Sequence, residues 1–182
     1  SSTETAAPRG IAARASGALR TTGRVLAGVA LLALALALAA ALLGYSALDP
    51  SLNTVTARPA ANPLGVPGAW IADLVLQLFG YAAAALVLPV AVAGVRQLRG
   101  NGATPWRRMA LASLFGIVTA AATLGIALPG PDARLPSGAG GITGLIAARL
   151  TTIAGDTAWL AEVPVALLAA LLLGLAALAL LA

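Results

Sequence analysis

Four apolar stretches, Val25–Tyr45, Trp70–Val95, Met109–Leu128 and Leu160–Ala182, leave this chain of 182 residues few folds to choose from. Each holds about 20 residues, and at about 1.5 Å rise per residue a helix of that length crosses the roughly 30 Å hydrocarbon core of a bilayer. A bilayer offers backbone N–H and C=O groups no water, so segments this poor in charge must close their hydrogen bonds internally, as helices. The expected fold is all-α, a polytopic membrane bundle of four transmembrane helices. Charged residues make up 9% of the chain, against about 25% in a typical water-soluble domain.

What the chain lacks narrows its chemistry. It has no His, no Cys and no Lys, which removes zinc and haem ligation, thiol catalysis, Schiff-base chemistry and any Ser-His-Asp arrangement. A Walker A loop needs its Lys to reach the β and γ phosphates, so no nucleotide site, no catalytic residue and no cofactor are expected within these residues. Without Cys there is no disulfide and no hint of redox compartment.

The net charge of +5 rests on arginine alone, and its placement says more than its size. Arg9, Arg14, Arg20 and Arg24 precede the first span, and Arg96, Arg99, Arg107 and Arg108 lie between the second and third, so eight of eleven fall on one side. Arg58, Arg134 and Arg149 occupy the other two loops. The positive-inside rule then puts the N-terminus, the 96–108 loop and the C-terminus in the cytoplasm. Juxtamembrane arginines of this kind set topology and attract anionic lipid more often than they bind nucleic acid.

Residues 1–24, rich in Ala, Ser, Thr, Gly and Arg without apolar periodicity, read as a disordered basic tail, and residues 25–182 as the membrane domain. A signal peptide ending at Ala39-Ala40-Ala41 is rejected, because the apolar run exceeds the roughly 7 to 15 residues of such a signal. The chain opens on Ser1 and stops at Leu180-Leu181-Ala182 with no basic flank, which reads as the N-terminal piece of a longer protein whose soluble part follows residue 182. Small residues recur at Ala30, Ala33, Ala37, Ala40 and Gly44 in the first span, at Ser113, Gly116, Ala120, Thr123 and Ala127 in the third, and at Ala166, Ala170 and Gly174 in the fourth. Lipid tails are as apolar as Leu, so helices in a bilayer associate by close packing, and such stripes are candidate contacts.

The loop Ser46–Ala69 is full of turn chemistry. Asp49-Pro50-Ser51 predicts an Asx-type turn, and the run from Asn62 to Gly68 offers Gly65 and Gly68 for positive φ. Asp73 is expected in the first turn of the second helix, facing the positive end of its dipole, with Arg58 or Arg149 as ion-pair partner and Gln77 and Gly80 continuing its face. Between Pro129 and Trp159, Ile142, Leu145, Ile146, Leu150 and Ile153 recur at helical spacing. At about 14 residues this segment, roughly 142–154, is too short to span and predicts an amphipathic helix at the outer interface or across the bundle. Glu162 and Pro164 suit the first turn of the fourth helix.

These residues carry a resemblance. Gly44-Tyr45-Ser46, Asp49-Pro50-Ser51, Asn62, Gly65, Gly68-Ala69, Ala72-Asp73 and Phe79-Gly80 resemble the first outer loop and second helix of the four-helix N-terminal domain of FtsK/SpoIIIE-type DNA translocases, although Ala47 stands where that pattern has a proline. Gly140-Gly141-Ile142-Thr143-Gly144 is similar to a Gly-Gly-x-x-Gly pattern of the same domain. The resemblance covers about residues 25–182. It implies a membrane anchor that targets an ATP-driven DNA translocase to the division septum of the bacterial inner membrane and serves chromosome segregation there. The lipid bilayer and other cell-division membrane proteins are the implied partners, and hexameric self-association the implied assembly. DNA, ATP and magnesium belong to a motor outside this chain. The rival class is a small four-span transporter or channel subunit, for which intramembrane acids are the usual mark. Asp73 and Glu162 are the two carboxylates near span boundaries, both toward outer ends.

Overall fold

The computed structural model describes residues 8–51, 54–100, 106–131 and 135–153, and these are helical with connecting turns. The helices are α1 (Pro8–Leu43), α2 (Gly65–Phe79), a 3-10 segment (Gly80–Leu86), α3 (Val87–Arg99), α4 (Trp106–Ala127) and α5 (Gly141–Ile153). Among the described residues three stretches are long and apolar enough to cross a membrane: Ser16–Leu43, Gly65–Arg99 and Trp106–Ala127. The expected fourth span, Leu160–Ala182, lies outside the described residues, as do Glu162, Arg134 and the small residues at 166, 170 and 174.

The tail is a correction. α1 begins at Pro8, so residues 8–24 extend the first span as helix instead of lying disordered. Ala and Arg are strong helix formers, and proline suits the first turn, where its missing N–H has no intrahelical partner. A helix of this kind needs no apolar stripe when it continues from a membrane span already nucleated.

The interior is built of small side chains. Ala35, Ala41, Ala69, Ala72, Ala82, Ala83, Ala120, Ala121 and Ala139 are buried, while Leu34, Leu36, Trp70, Leu74, Leu88, Leu111 and Phe115 face outward. In water this arrangement would forfeit the burial of its largest apolar groups; in lipid it sacrifices nothing, and small residues let backbones approach. α1 and α3 meet at Gly28 and Gly94, where a Cβ added to either would stand 3.0 Å from the other's carbonyl oxygen. The contact face of α1 therefore runs through Gly28, Ala35 and Ala41, and the expected stripe through Ala30 and Ala33 is turned outward. In α4 the expectation is half right, since Gly116 and Ala120 are buried with Ile117, Ala121 and Gly125, but Ala127 is exposed.

The second span is broken. Its 35 residues, as one straight helix at about 1.5 Å each, would overrun a core of about 30 Å. Gly80, at φ 58 and ψ −141, interrupts the helix with a conformation closed to residues bearing a Cβ. Pro89 stands in the first turn of α3, directly after the 3-10 segment, where its missing N–H is tolerated. The 3-10 segment joins two clusters: Ala83 packs with Ala41, Ala72, Leu76 and Leu135, and Ala82 with Ile117, Ala120 and Ala121.

α5 forms where the spacing predicts a helix, and it packs on the bundle by its glycines. Ile142, Leu145, Ile146, Leu150 and Ile153 are exposed, and Gly141 and Gly144 are buried. A Cβ on Gly125 would overlap the Gly144 backbone, one on Gly140 the Ala121 carbonyl, and one on Gly80 the Ala139 carbonyl. Tyr81 N–H donates to that Ala139 carbonyl at 2.8 Å. The glycines bring α5 against α4 and the 3-10 segment, backbone to backbone.

Candidate functional site

At the end of the bundle opposite the juxtamembrane arginines, the 44–64 loop folds around two buried polar side chains. Asp49, 5% exposed, accepts hydrogen bonds from the backbone N–H of Ala61 at 2.9 Å and Asn62 at 3.0 Å. Asn62, 3% exposed, donates from Nδ2 to the Ala41 carbonyl at 2.8 Å and accepts at Oδ1 from Leu64 N–H at 3.1 Å. The last carbonyls of a helix have no partner within it, so Asn62 caps α1 from 21 residues away. Its own carbonyl accepts from Gly65 N–H at 2.8 Å, and Gly65 turns at φ 65 to open α2. Gly44 lies against Pro63 and Gly68 against Asn62, each too close to admit a Cβ.

The predicted Asx turn is replaced by this long-range latch, because the Asp49 carboxylate is drawn to two N–H groups of the returning strand of loop. Ser46 and Ser51 make the local turns instead: Ser46 Oγ accepts from Leu48 N–H at 3.3 Å, and Ser51 Oγ from Thr54 N–H at 3.2 Å. Pro50 separates the latch from the second turn. Gly65 takes positive φ as expected; Gly68 sits inside α2 and serves close packing only.

Asp73 is also corrected. With α2 starting at Gly65 it stands beyond the first turn, 6% exposed, away from the helix dipole. Its Oδ1 accepts from Gln77 Nε2 at 2.9 Å and from the Tyr45 hydroxyl at 3.4 Å. Arg58 and Arg149 are exposed, and the carboxylate is held by these two neutral donors in their place. Burial, the Asp73 charge and the bond to it together push the Tyr45 phenol above its ordinary value of 10.0. Gln77 was visible one turn from Asp73, but Tyr45 is 28 residues distant and no local spacing announces it.

At the arginine end, Arg24 lies against Gly100, the left-handed residue that ends α3, and its Nε is buried without a hydrogen-bond partner. Arg96 and Arg99 occupy the last turn of α3, where cations offset the negative end of the helix dipole. Arg107 stacks over Trp106 with 5.8 Å to the ring centre, beside Arg108, and Arg20 is exposed on α1. Among the described residues no three His, Cys, Asp or Glu side chains gather as a metal site would require.

The geometry is that of a structural latch, with every buried polar atom of Asp49, Asn62 and Asp73 described above spent on holding α1, the loop and α2 together. Comparison with known proteins agrees in placing the chain. The family of the 4TM region of DNA translocase FtsK/SpoIIIE matches residues 21–182. A DNA translocase FtsK of Bradyrhizobium diazoefficiens is 40% identical over 124 residues, 66% of this chain and 15% of that protein. Those of Mesorhizobium japonicum and Caulobacter vibrioides are 31% and 35% identical over 161 and 147 residues, 79% and 74% of this chain and 18% and 17% of theirs. The chain thus spans less than a fifth of the length of these curated relatives, and no solved structure matches it.

Proposed function

The chain belongs to the family of the 4TM region of DNA translocase FtsK/SpoIIIE, and from that premise we propose that it anchors a cell-division DNA translocase in the bacterial inner membrane and brings it to the division septum. The motor that hydrolyses ATP and moves DNA is taken to lie outside these residues, where magnesium and DNA would also bind. The family match over residues 21–182 is the observation that carries this reading, and a chain without a single Lys gives a phosphate-binding loop no place. The anchor works as a hexamer, with four spans and both termini in the cytoplasm, and meets other division proteins through its latched outer loop. Leu48 and Val55, exposed on that loop, suit such contact.

Fused to a fluorescent protein in a dividing bacterium, residues 1–182 should collect at mid-cell while the purified chain hydrolyses no ATP. Uniform fluorescence around the membrane through the whole division cycle would reduce the chain to a passive tether. A transporter is disfavoured by Asp73, whose bonds to Gln77 and Tyr45 account for its burial. Ion flux in vesicles that Asp73→Asn abolishes would reinstate it.

A further inference from the structure

α5 stands deeper than a helix resting on the membrane surface would. The apolar run of α4 ends at Leu128, and Ala121 and Gly125 precede that end by seven and three residues, about 10 and 5 Å along the helix. A Cβ added to Gly140 would overlap the Ala121 carbonyl and stand 2.6 Å from the Gly125 nitrogen, and one added to Gly144 would stand 2.9 Å from the Gly125 Cα. On the other side, one added to Gly141 would stand 2.6 Å from the Gly80 nitrogen, at the break in the second span. The first turn of α5 is therefore wedged between two spans, about 5 to 10 Å inside the hydrocarbon boundary at the latch end.

The chain leaves α4 at this end and comes back to that depth through irregular backbone, which a bilayer tolerates only where protein satisfies its polar groups. Here protein does so. The Leu135 carbonyl accepts from Gly138 N–H at 2.8 Å, the Gly138 carbonyl from Gly141 N–H at 3.1 Å, the Ala139 carbonyl from Tyr81 N–H at 2.8 Å and the Gly140 carbonyl from Gly144 N–H at 2.9 Å. Leu135, Gly138, Ala139 and Gly140 are buried, and Leu135 packs with Ala41, Ala72, Leu76 and Ala83. A connection lying in water would have no need of either provision.

Outward, α5 turns Ile142, Leu145 and Ile146, which are 43, 45 and 56% exposed. All three lie within two residues of Gly144, so at about 1.5 Å per residue they share its depth to about 3 Å, whatever the tilt of the helix. We propose that residues 135–153 form a re-entrant element sunk in the leaflet at the latch end, and that acyl chains of that leaflet cover the face of α5 bearing Ile142, Leu145 and Ile146. Continuity with the spans selects this occupant. At the same level α4 divides its residues in the same way, burying Ala120 and Gly125 while Leu114 and Phe115 below them face lipid. The three side chains carry nothing that water or a soluble partner would bond.

The chain has no cysteine of its own, so a single introduced thiol can carry a nitroxide label without interference. Ile142→Cys and Ile146→Cys, with Leu145→Cys in reserve if either fails to insert, are labelled in the full chain and reconstituted in phosphatidylglycerol vesicles. Electron paramagnetic resonance then reads their collisions with oxygen, which concentrates among acyl chains, and with a nickel chelate, which stays in water. Phospholipids labelled at known carbons calibrate the depth. Both labels should favour oxygen as Phe115→Cys on α4 does, and should report a depth of about 5 to 10 Å below the hydrocarbon boundary. Val55→Cys, fully exposed on the loop, should favour the chelate. Preference for the chelate at positions 142 and 146 would place α5 in water and overturn the proposal. Exclusion of both reagents would mean that protein covers the face, a second copy or residues 154–182 of the same chain, and would overturn it likewise.

Discussion

Asn62 touches three parts of the structure through one side chain: the Ala41 carbonyl at the end of α1, the Leu64 N–H, and the face of Gly68 in α2. Asn62→Ala strands a buried carbonyl and an N–H, each worth about 1–3 kcal/mol when left unpaired, so the thermal midpoint in detergent should fall by several degrees. Asp49→Asn keeps the shape but turns one of the two accepting oxygens into an NH2 that faces an N–H donor, stranding that N–H, and should cost about 1–3 kcal/mol by the same measurement. Tyr45 makes the pH-dependent case. Its folded pKa is raised, so its contribution is complete below the unfolded value of 10.0 and is lost as pH climbs through the higher folded value. Melting curves should therefore be flat in this respect up to about pH 10 and decline above it, and Tyr45→Phe should lessen that alkaline decline. The identities of Asp49, Asn62 and Asp73 were legible as a site because polar residues in a turn-rich loop beside a span have few other reasons to be there. Apart from Gln77, one turn from Asp73, their partners were not, since a hydrogen bond across 13, 21 or 28 residues leaves no periodic trace.

Secondary structure was legible wherever burial in lipid demanded it: α4 and α5 follow the apolar runs closely, and α1 ends where its run ends but starts well before it. The faces were harder. In α5 the large residues repeat at helical spacing, which in water would mark the packed side; here Gly141 and Gly144 pack and the isoleucines look outward, because in lipid the large residue no longer gains by hiding. The break at Gly80 escaped as well, since one glycine in a long apolar run resembles any other until its φ is known. Gly125→Val must push α5 off α4, an overpacking cost of about 1–3 kcal/mol, and proteolysis of the 128–141 connection should quicken accordingly. Gly80→Ala combines a forbidden φ with a clash against the Ala139 carbonyl and should be worse than Gly116→Ala, whose backbone is ordinary helix.

The molecule as a whole is turned inside out relative to a water-soluble bundle, with alanine and glycine at its centre and leucine, isoleucine and aromatic rings on its surface. Its polarity along the membrane normal is equally plain, the arginines gathered at one end and the latch at the other. A reporter active only in the cytoplasm should accordingly work when fused after Ala182, and activity of a periplasmic reporter at that point would contradict an even number of spans. One property follows from the glycine seam at Gly125, Gly140 and Gly144. Where side chains meet, a pull on one helix is absorbed by rotating rotamers; where main chain meets main chain there is nothing soft to yield. The seam makes the α4–α5 pair stiff under tension, and a strain applied to α4 reaches α5 with little slack. In the proposed role of anchor for a DNA translocase, stiffness of that kind would matter more than thermal stability.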